Sequence, residues 1–108
     1  MDGFYIEAGV HRAVAAREVG LMLIEAVLHV PDHPPHRMSI PLDELHSSRT
    51  SVIGTKTQRY DLPGLIRAMS DSASQLKVPP IHVQRLGEHG QPPLVPLAAV
   101  VIVDEVES

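Results

Sequence analysis

The sequence predicts one α+β domain with a small mixed sheet and two main helices, and three features of the chain support this. Residues 4–7 alternate apolar and polar side chains and lead into a glycine, an alanine-rich segment and a second apolar run, which is the order strand, turn, helix, strand. A helical apolar stripe returns at 62–76, and β-prone runs follow at 81–86 and 94–103. A chain of 108 residues fits one domain, and a hydrophobic content of 44% supplies one modest core.

The turn from Gly9 to Arg12 predicts an anion-binding site at the start of the first helix. Gly9 permits a backbone conformation or close approach that a side chain would block. A helix N-terminus offers free N–H groups and a partial positive charge. His11 adds a titratable donor, and Arg12 adds a planar fork of permanent donors that suits phosphate oxygens.

Apolar residues follow Arg12 at helical spacing, so its side chain is expected to point inward or along a cleft. Arg17 is expected to point away from the bound phosphate and to matter little for phosphate binding. From the residue types alone, an equally good interpretation is that Arg12 is an ordinary first-turn arginine and Gly9 an ordinary turn residue.

The middle of the chain is predicted from its apolar runs and prolines. Gly20 ends the first helix, and 21–30 is predicted to be a buried or half-buried strand. Three prolines in 31–37 predict a stiff linker without regular structure and an internal boundary. Residues 38–45 predict a short strand that turns into a helical turn, and 47–58 a polar surface loop.

The second helix is predicted to begin at Asp61, with Pro63 in its first turn and an apolar stripe that continues to Leu76. Two prolines end it, and a strand is expected at 81–86. A turn at 87–90 and a last β-prone segment then lead to an acidic tail.

Composition narrows the classes of function. The net charge of −4 and the scarcity of aromatic residues disfavour nucleic acid as a partner. The chain has no cysteine, which excludes disulfides, thiolate catalysis and cysteine metal sites. Because no signal segment and no apolar span of about 18 residues is visible, we expect a cytoplasmic protein without membrane partners.

A metal site is not expected. His29, His33 and His36 are spaced closely enough to suggest zinc, but the prolines between them prevent the helix or tight knuckle that such ligands would need. A solvated linker is the preferred interpretation.

Residues 5–21, which read YIEAGVHRAVAAREVGL, resemble the signature box of the ParB/sulfiredoxin superfamily. In that family a strand enters a G-x-H-R or G-x-R-R turn that binds the phosphates of a nucleotide, and the next helix reads like A-x-A-A-R-E-L-G. The resemblance implies phosphate or nucleotide binding, with ATP or CTP and magnesium as the candidate ligands. It implies that the binding residues are Gly9, Val10, His11, Arg12 and Ala13.

The second half of the chain is similar to the part of the family that normally comes first. There, a strand like 40–45 precedes a loop ending in Q-x-R, here approached by Gln58 and Arg59, and a helix like 61–69 and a strand like 78–83 follow. Because the box opens this chain, the order resembles a circular permutation, in which the strands at 4–7 and 81–86 lie side by side. The implied parts of the single domain 1–108 are the box half 1–30, the linker 31–37, the half that normally comes first 38–90, and an added C-terminal strand and tail 91–108.

The chain also departs from the family pattern. Sulfiredoxins carry a cysteine in the turn where this chain has Val10, so it is not a sulfiredoxin reductase. Relatives resembling the free-serine kinase carry an acid where this chain has Ala8, and Glu7 is expected on the other face of the strand.

The helix that supplies lysine, serine and threonine to the nucleotide in sulfiredoxins offers Asp61, Gly64 and Ala68 here. Lys56 and Arg59 could replace part of that charge; the alternative is that both are exposed loop cations.

Three hypotheses follow. The first is a nucleotide- or phosphate-binding ParB-like module with at most weak hydrolysis. The second is a small phosphotransferase, NTPase or nuclease of the ParB-like class, for which His82, His46 and Glu44 are candidate bases by residue type. The third is a non-catalytic assembly protein that forms a homodimer by exchange of its C-terminal strand.

Overall fold

The computed structural model describes residues 3–54, 62–75, 77–87 and 93–103. Within these ranges the fold is α+β, as the sequence predicts, with a six-stranded mixed sheet, a two-stranded sheet and three helices. The helices are α1 (Val10–Val19), α2 (Leu62–Ser70) and the short α3 (Ser72–Gln75). The strands are β1 (Phe4–Ala8), β2 (Leu23–Leu28), β3 (His36–Pro41), β4 (Leu45–Ser47), β5 (Ser51–Ile53), β6 (Ile81–Arg85), β7 (Val95–Pro96) and β8 (Val101–Val103).

The large sheet has the strand order β3-β2-β6-β1-β4-β7, and β5 and β8 form the small sheet. Strand β1 pairs antiparallel with β6 and parallel with β4. The predicted pairing of the strands at 4–7 and 81–86 is therefore confirmed. It fits a permuted order, although the permutation itself stays a prediction.

Helix α1 packs on one face of the large sheet through its small side chains. Four consecutive residues of α1, from Ala13 to Ala16, are buried, and at about 100° per residue they face all sides of the helix. Helix α1 is therefore enclosed between α2 and the sheet, where β1 contributes Phe4 and Ile6. Alanine side chains let a helix approach a sheet closely, and apart from Phe4 the core around them is aliphatic. The other buried core residues are Ile24, Ala26, Leu28, Ile40, Leu45, Val52, Leu62, Met69, Ile81, Val83, Leu97 and Val100.

The opposite face of the large sheet is polar. Side chains alternate between the two faces of a strand, so the residues between the buried positions point away from α1. They include Tyr5 and Glu7 on β1, Glu25 on β2, and His82 and Gln84 on β6.

The predicted linker at 31–37 contains regular structure, which corrects the sequence interpretation. Strand β3 begins at His36 and pairs with β2 along its whole length, from Leu28↔His36 to Leu23↔Pro41. Because β3 is the outer strand of the sheet, the prolines just before it and at its end do not interrupt the pairing.

The predicted surface loop at 47–58 is also partly wrong. Strand β5 lies within it, and Val52 is buried where β5 pairs in parallel with β8. The strand has only three residues and its partner lies about half the chain away, so the sequence pattern did not reveal it.

The predicted helix at 62–76 is interrupted. Helix α2 ends at Ser70, and Asp71 accepts hydrogen bonds from the Ala73 N–H at 3.3 Å and the Ser74 hydroxyl at 2.9 Å. These two bonds cap the start of α3. The apolar periodicity continues through the break, which is why the sequence did not reveal it.

The segment 94–103 is not one strand. It forms β7, a 3₁₀ turn (Leu97–Ala99) and β8, and Arg17 holds the turn against α1. The Arg17 Nη1 donates hydrogen bonds to the carbonyls of Leu97 at 2.7 Å and Val100 at 2.6 Å. Arg17 therefore has a structural role at the C-terminal end of α1, and its expected small effect on phosphate binding stays a prediction. No helix in these ranges is long and apolar enough to cross a membrane.

Candidate functional site

Gly9 forms the turn between β1 and α1 and could not be another residue without strain. Its φ of 106° and ψ of 27° lie in the left-handed region. A Cβ at this position would lie 2.6 Å from Cγ2 of Ile81 and 3.0 Å from Nη2 of Arg12. The glycine is thus required by its backbone conformation and by its packing against β6, whether or not a ligand binds.

The first turn of α1 presents backbone donors. The N-cap residue is Gly9, which has no capping side chain, and the first turn contains no acidic residue. The N–H of Ala13 already donates to the Gly9 carbonyl at 3.0 Å, so it cannot also bind an anion. Val10, His11 and Arg12 precede this first helical bond and form the N-terminal turn, where the positive end of the helix dipole lies.

Strand pairing brings a second segment to this turn. Strands β1 and β4 are parallel neighbours, so their carboxyl ends lie at the same edge of the sheet. The chain that leaves β4 runs through Ser48 to Arg49, whose N–H donates to the Ser47 hydroxyl at 2.9 Å. The edge at the carboxyl ends of parallel strands is where α/β proteins commonly bind ligands.

His11 and Arg49 interact electrostatically at this edge. The His11 side chain is buried, with 7% of the residue exposed. Burial, and secondly the positive charge of Arg49, lower the pKa of His11 below its ordinary value. At neutral pH His11 is therefore a neutral ring beside a guanidinium and a helix N-terminus.

Arg12 points toward the segment that precedes β6, and it is half-buried. Its Nη1 donates to the carbonyls of Pro79 at 3.0 Å and Pro80 at 2.7 Å, just before β6 begins. These bonds favour the interpretation of Arg12 as a structural residue that holds the start of β6 against the Gly9 turn. The first turn thus sends Arg12 toward β6 and His11 toward the segment after β4.

Arg49 is the residue of this site that the sequence interpretation missed. Lys56 and Arg59, the two cations that the sequence suggested as ligand-binding residues, lie outside the described residues. The sequence signal for Arg49 was a cation directly after a short strand, but it gains meaning only once β4 is known to pair with β1.

The candidate catalytic bases lie elsewhere. His82 and His46 alternate with buried residues of β6 and β4, so they belong to the sheet face opposite α1. Nδ1 of His46 is buried without a hydrogen-bond partner among the described residues. Glu44 ends the 3₁₀ turn (Leu42–Glu44) before β4, at the opposite end of that strand from Arg49.

The histidines of the proline segment do not meet one another as zinc ligands. His29 instead contacts His82, with Nε2 of His29 2.7 Å from Nδ1 of His82. Across the described ranges, no three side chains from His, Asp and Glu come together as a metal site.

A cavity of about 410 Å³ is lined by residues of β2, β3, α2 and α3 and of the segments before β2 and β6. Its polar wall contains Glu25, which accepts hydrogen bonds from the Ser39 hydroxyl at 2.5 Å and from Nε of Arg37 at 3.3 Å. These bonds lower the pKa of Glu25 and keep it ionised. The remaining lining residues are Leu21, Leu23, Ile24, Met69, Gln75, Val78 and Pro79.

No protein-family model, curated protein or solved structure matches this chain. The similarity to the ParB/sulfiredoxin superfamily therefore rests on the sequence features alone, chiefly the box at 5–21, and it stays a prediction. The geometry of His11, Arg49 and the α1 N-terminus stands independently of that similarity.

Proposed function

We propose that the protein binds a phosphate-bearing small molecule at the N-terminus of α1. The observation that carries this proposal is that Arg49, which follows β4, is close enough to His11 in the first turn of α1 for its charge to lower the pKa of His11, at the carboxyl ends of the parallel strands β1 and β4. A phosphate there would gain the positive end of the helix dipole and one guanidinium.

The chemistry of the turn supports a phosphate group, whereas the choice of nucleotide comes from the resemblance. ATP or CTP, with or without magnesium, are the ligands to test first. Neutral His11 is the residue beside the turn that can accept a proton, so it would carry any weak hydrolysis. On the sequence grounds given above, the proposed location is the cytoplasm.

Thermal unfolding with ATP, CTP, GTP and pyrophosphate, each with and without magnesium, tests the proposal. We expect at least one of these to raise the unfolding midpoint of the parent protein. Arg49→Gln should remove a charged hydrogen bond worth about 1.5–3 kcal/mol, which corresponds to roughly tenfold to hundredfold weaker binding. Arg49→Lys should recover part of the loss, because it restores the charge but not the planar fork.

Arg37→Gln is the matched control. Arg37 is also a surface arginine, but it lies on β3, where its Nε is 3.3 Å from Glu25. Its loss should leave the phosphate effect intact. The proposal fails if no phosphate compound stabilises the parent, or if Arg49→Gln and the parent respond equally.

We propose a homodimer as a second candidate function, on a different observation. The small parallel sheet of β5 and β8 leaves Val101 56% and Val103 47% exposed. Two-stranded sheets are marginally stable, and parallel strands are usually covered on both faces. A second copy could cover these strands by edge pairing or by exchange of the segment 94–103.

Light scattering over a range of concentrations tests the dimer. The parent should dimerise, and Val101→Lys with Val103→Lys should make it monomeric. Met22→Lys is the control, because Met22 is 84% exposed and lies outside the small sheet. A monomeric parent at all concentrations would exclude this second function and leave the phosphate site unaffected.

A further inference from the structure

His29 and His82 form a close histidine pair on the polar side of the sheet. Nε2 of His29 lies 2.7 Å from Nδ1 of His82. The ring centroids are 5.0 Å apart and the ring planes differ by 25°. The centroid separation exceeds the nitrogen separation by about two ring radii, so the two nitrogens face each other along the line that joins the rings. Their in-plane lone pairs are therefore directed into the same small space.

The backbone holds this pair in place. Strands β2 and β6 are parallel neighbours, with Val27 opposite His82 and Leu28 opposite Val83. The N–H of His29 extends the pairing beyond β2 by donating to the Val83 carbonyl at 2.9 Å. The imidazole ring of His82 thus belongs to β6, and that of His29 lies just beyond the end of the neighbouring strand β2. Both residues are half-buried, so ions can still reach them from solvent.

The ligand-free pair shares one proton between the facing nitrogens. In neutral imidazole one nitrogen donates and the other accepts, so a hydrogen bond at this distance needs one ring of each kind. A metal ion could take the place of that proton if the donor ring moved its proton through water to its other nitrogen. Both facing nitrogens would then be unprotonated ligands, and no proton would be lost from the pair.

We propose that His29 and His82 form a binding site for a divalent transition-metal ion of the Cu²⁺, Ni²⁺ and Zn²⁺ class. Imidazole nitrogen suits these ions, and hard ions such as Mg²⁺ and Ca²⁺ prefer oxygen. The nitrogens must separate from 2.7 Å to about 3.3 Å to hold a tetrahedral ion with Zn–N bonds of roughly 2.0–2.1 Å. Rotation of two side chains supplies a change of this size without moving the strands.

Water or an exogenous ligand completes the coordination, because no third His, Asp or Glu of the described residues joins the pair. The site is therefore open, and it binds more weakly than structural sites with four protein ligands. Divalent affinities should follow the usual order for nitrogen sites, with Cu²⁺ tightest.

Metal titration of the full chain at neutral pH tests the site, with thermal unfolding as the first readout. We expect Cu²⁺, Ni²⁺ and Zn²⁺ to raise the unfolding midpoint, because the ion links two strands of the folded state only, and Mg²⁺ to have no effect. His29→Gln and His82→Gln should each weaken binding by more than the roughly tenfold typical of losing a supporting contact.

His33→Gln and His36→Gln are matched controls, since both histidines are exposed and near the pair in sequence but outside it. They should keep the metal response. His29 lies just beyond the end of β2, so His29→Gln decides the question if His82→Gln does not fold.

Nuclear magnetic resonance supplies a second readout. Substoichiometric Cu²⁺ should broaden amide signals of β2 and β6 around the pair first. The site is excluded if none of the three ions changes the midpoint of the parent, if His29→Gln responds like the parent, or if broadening centres on His33 and His36.

Discussion

The two ends of α1 use the same chemistry for different purposes. At each end a glycine in the left-handed conformation borders the helix, and an arginine donates from Nη1 to two backbone carbonyls. Arg12 holds the start of β6, and Arg17 holds the 3₁₀ turn before β8. These arginine–carbonyl hydrogen bonds are therefore structural, and the presence of an arginine does not mark either end as a binding site.

The helix dipole and the neighbouring charges distinguish the two ends. At the N-terminus lies the positive end of the helix dipole, and the charge of Arg49 is close enough to lower the pKa of His11, a combination that favours an anion. At the C-terminus, carbonyl groups dominate, and Arg17 is additionally paired with Glu18 at 3.1 Å. The candidate site thus depends on Arg49 and the dipole of the helix N-terminus more than on Arg12.

Substitution of the two glycines should give the largest difference in stability between the two ends of α1. Gly9→Ala adds strain at a positive φ and a clash 2.6 Å from the Ile81 side chain. We expect a loss of about 2–5 kcal/mol in the free energy of unfolding. Gly20→Ala is the control, since its φ of 88° is also strained but nothing lies within 4 Å of the new methyl group. Its cost should be about 1 kcal/mol. Urea unfolding measures both, and equal losses would contradict the packing role of Gly9.

Removal of either the Arg12 or the Arg17 side chain should have a smaller effect on the free energy of unfolding. Arg12→Ala and Arg17→Ala each delete charged hydrogen bonds to carbonyls, and we expect each to lower the free energy of unfolding by about 1.5–3 kcal/mol. Arg17→Ala should also speed amide hydrogen exchange in β8, whereas Arg12→Ala should do so at the start of β6.

Arg37→Ala is the control for both arginines, because its ion pair with Glu25 leaves the Arg37 side chain 63% exposed and should contribute at most about 1 kcal/mol. If Arg12→Ala stays fully stable yet loses the response to every phosphate compound, then Arg12 is a ligand-binding residue. The structural interpretation of its hydrogen bonds to the carbonyls before β6 is then wrong.

The local order of the chain was predictable because it rests on neighbours in sequence. The strand, glycine turn and alanine helix of the first 20 residues follow from periodicity, as does the strand at 81–86. Arg49 was missed because its place depends on the pairing of β1 with β4. The role of Arg17 was missed for the same reason, since its acceptors lie about 80 residues later. Strand β5 was missed because three residues flanked by polar side chains give too short a pattern.

The smallest expected effect is the pH dependence that comes from His11. Its folded-state pKa lies below the ordinary histidine value of 6.5, so the unfolded chain takes up the proton first as pH falls. Stability from this residue is therefore fully present above pH 6.5, declines as pH falls below that value, and levels off below the folded pKa. His11→Gln should flatten this part of the stability curve between neutral and mildly acidic pH, and His33→Gln should leave it unchanged. An unchanged slope in His11→Gln would contradict the burial of a neutral ring.

The pKa of His11, followed by nuclear magnetic resonance with and without saturating pyrophosphate, tests the phosphate site most directly. An anion beside the ring and Arg49 offsets the positive charge that lowers this pKa, so pyrophosphate should raise it. In Arg49→Gln without ligand, the pKa of His11 should already lie above the parent value, and pyrophosphate should shift it less. A pKa of His11 that does not change with pyrophosphate, or a shift no larger than that of exposed His33 and His36, would contradict a phosphate site at this end of α1.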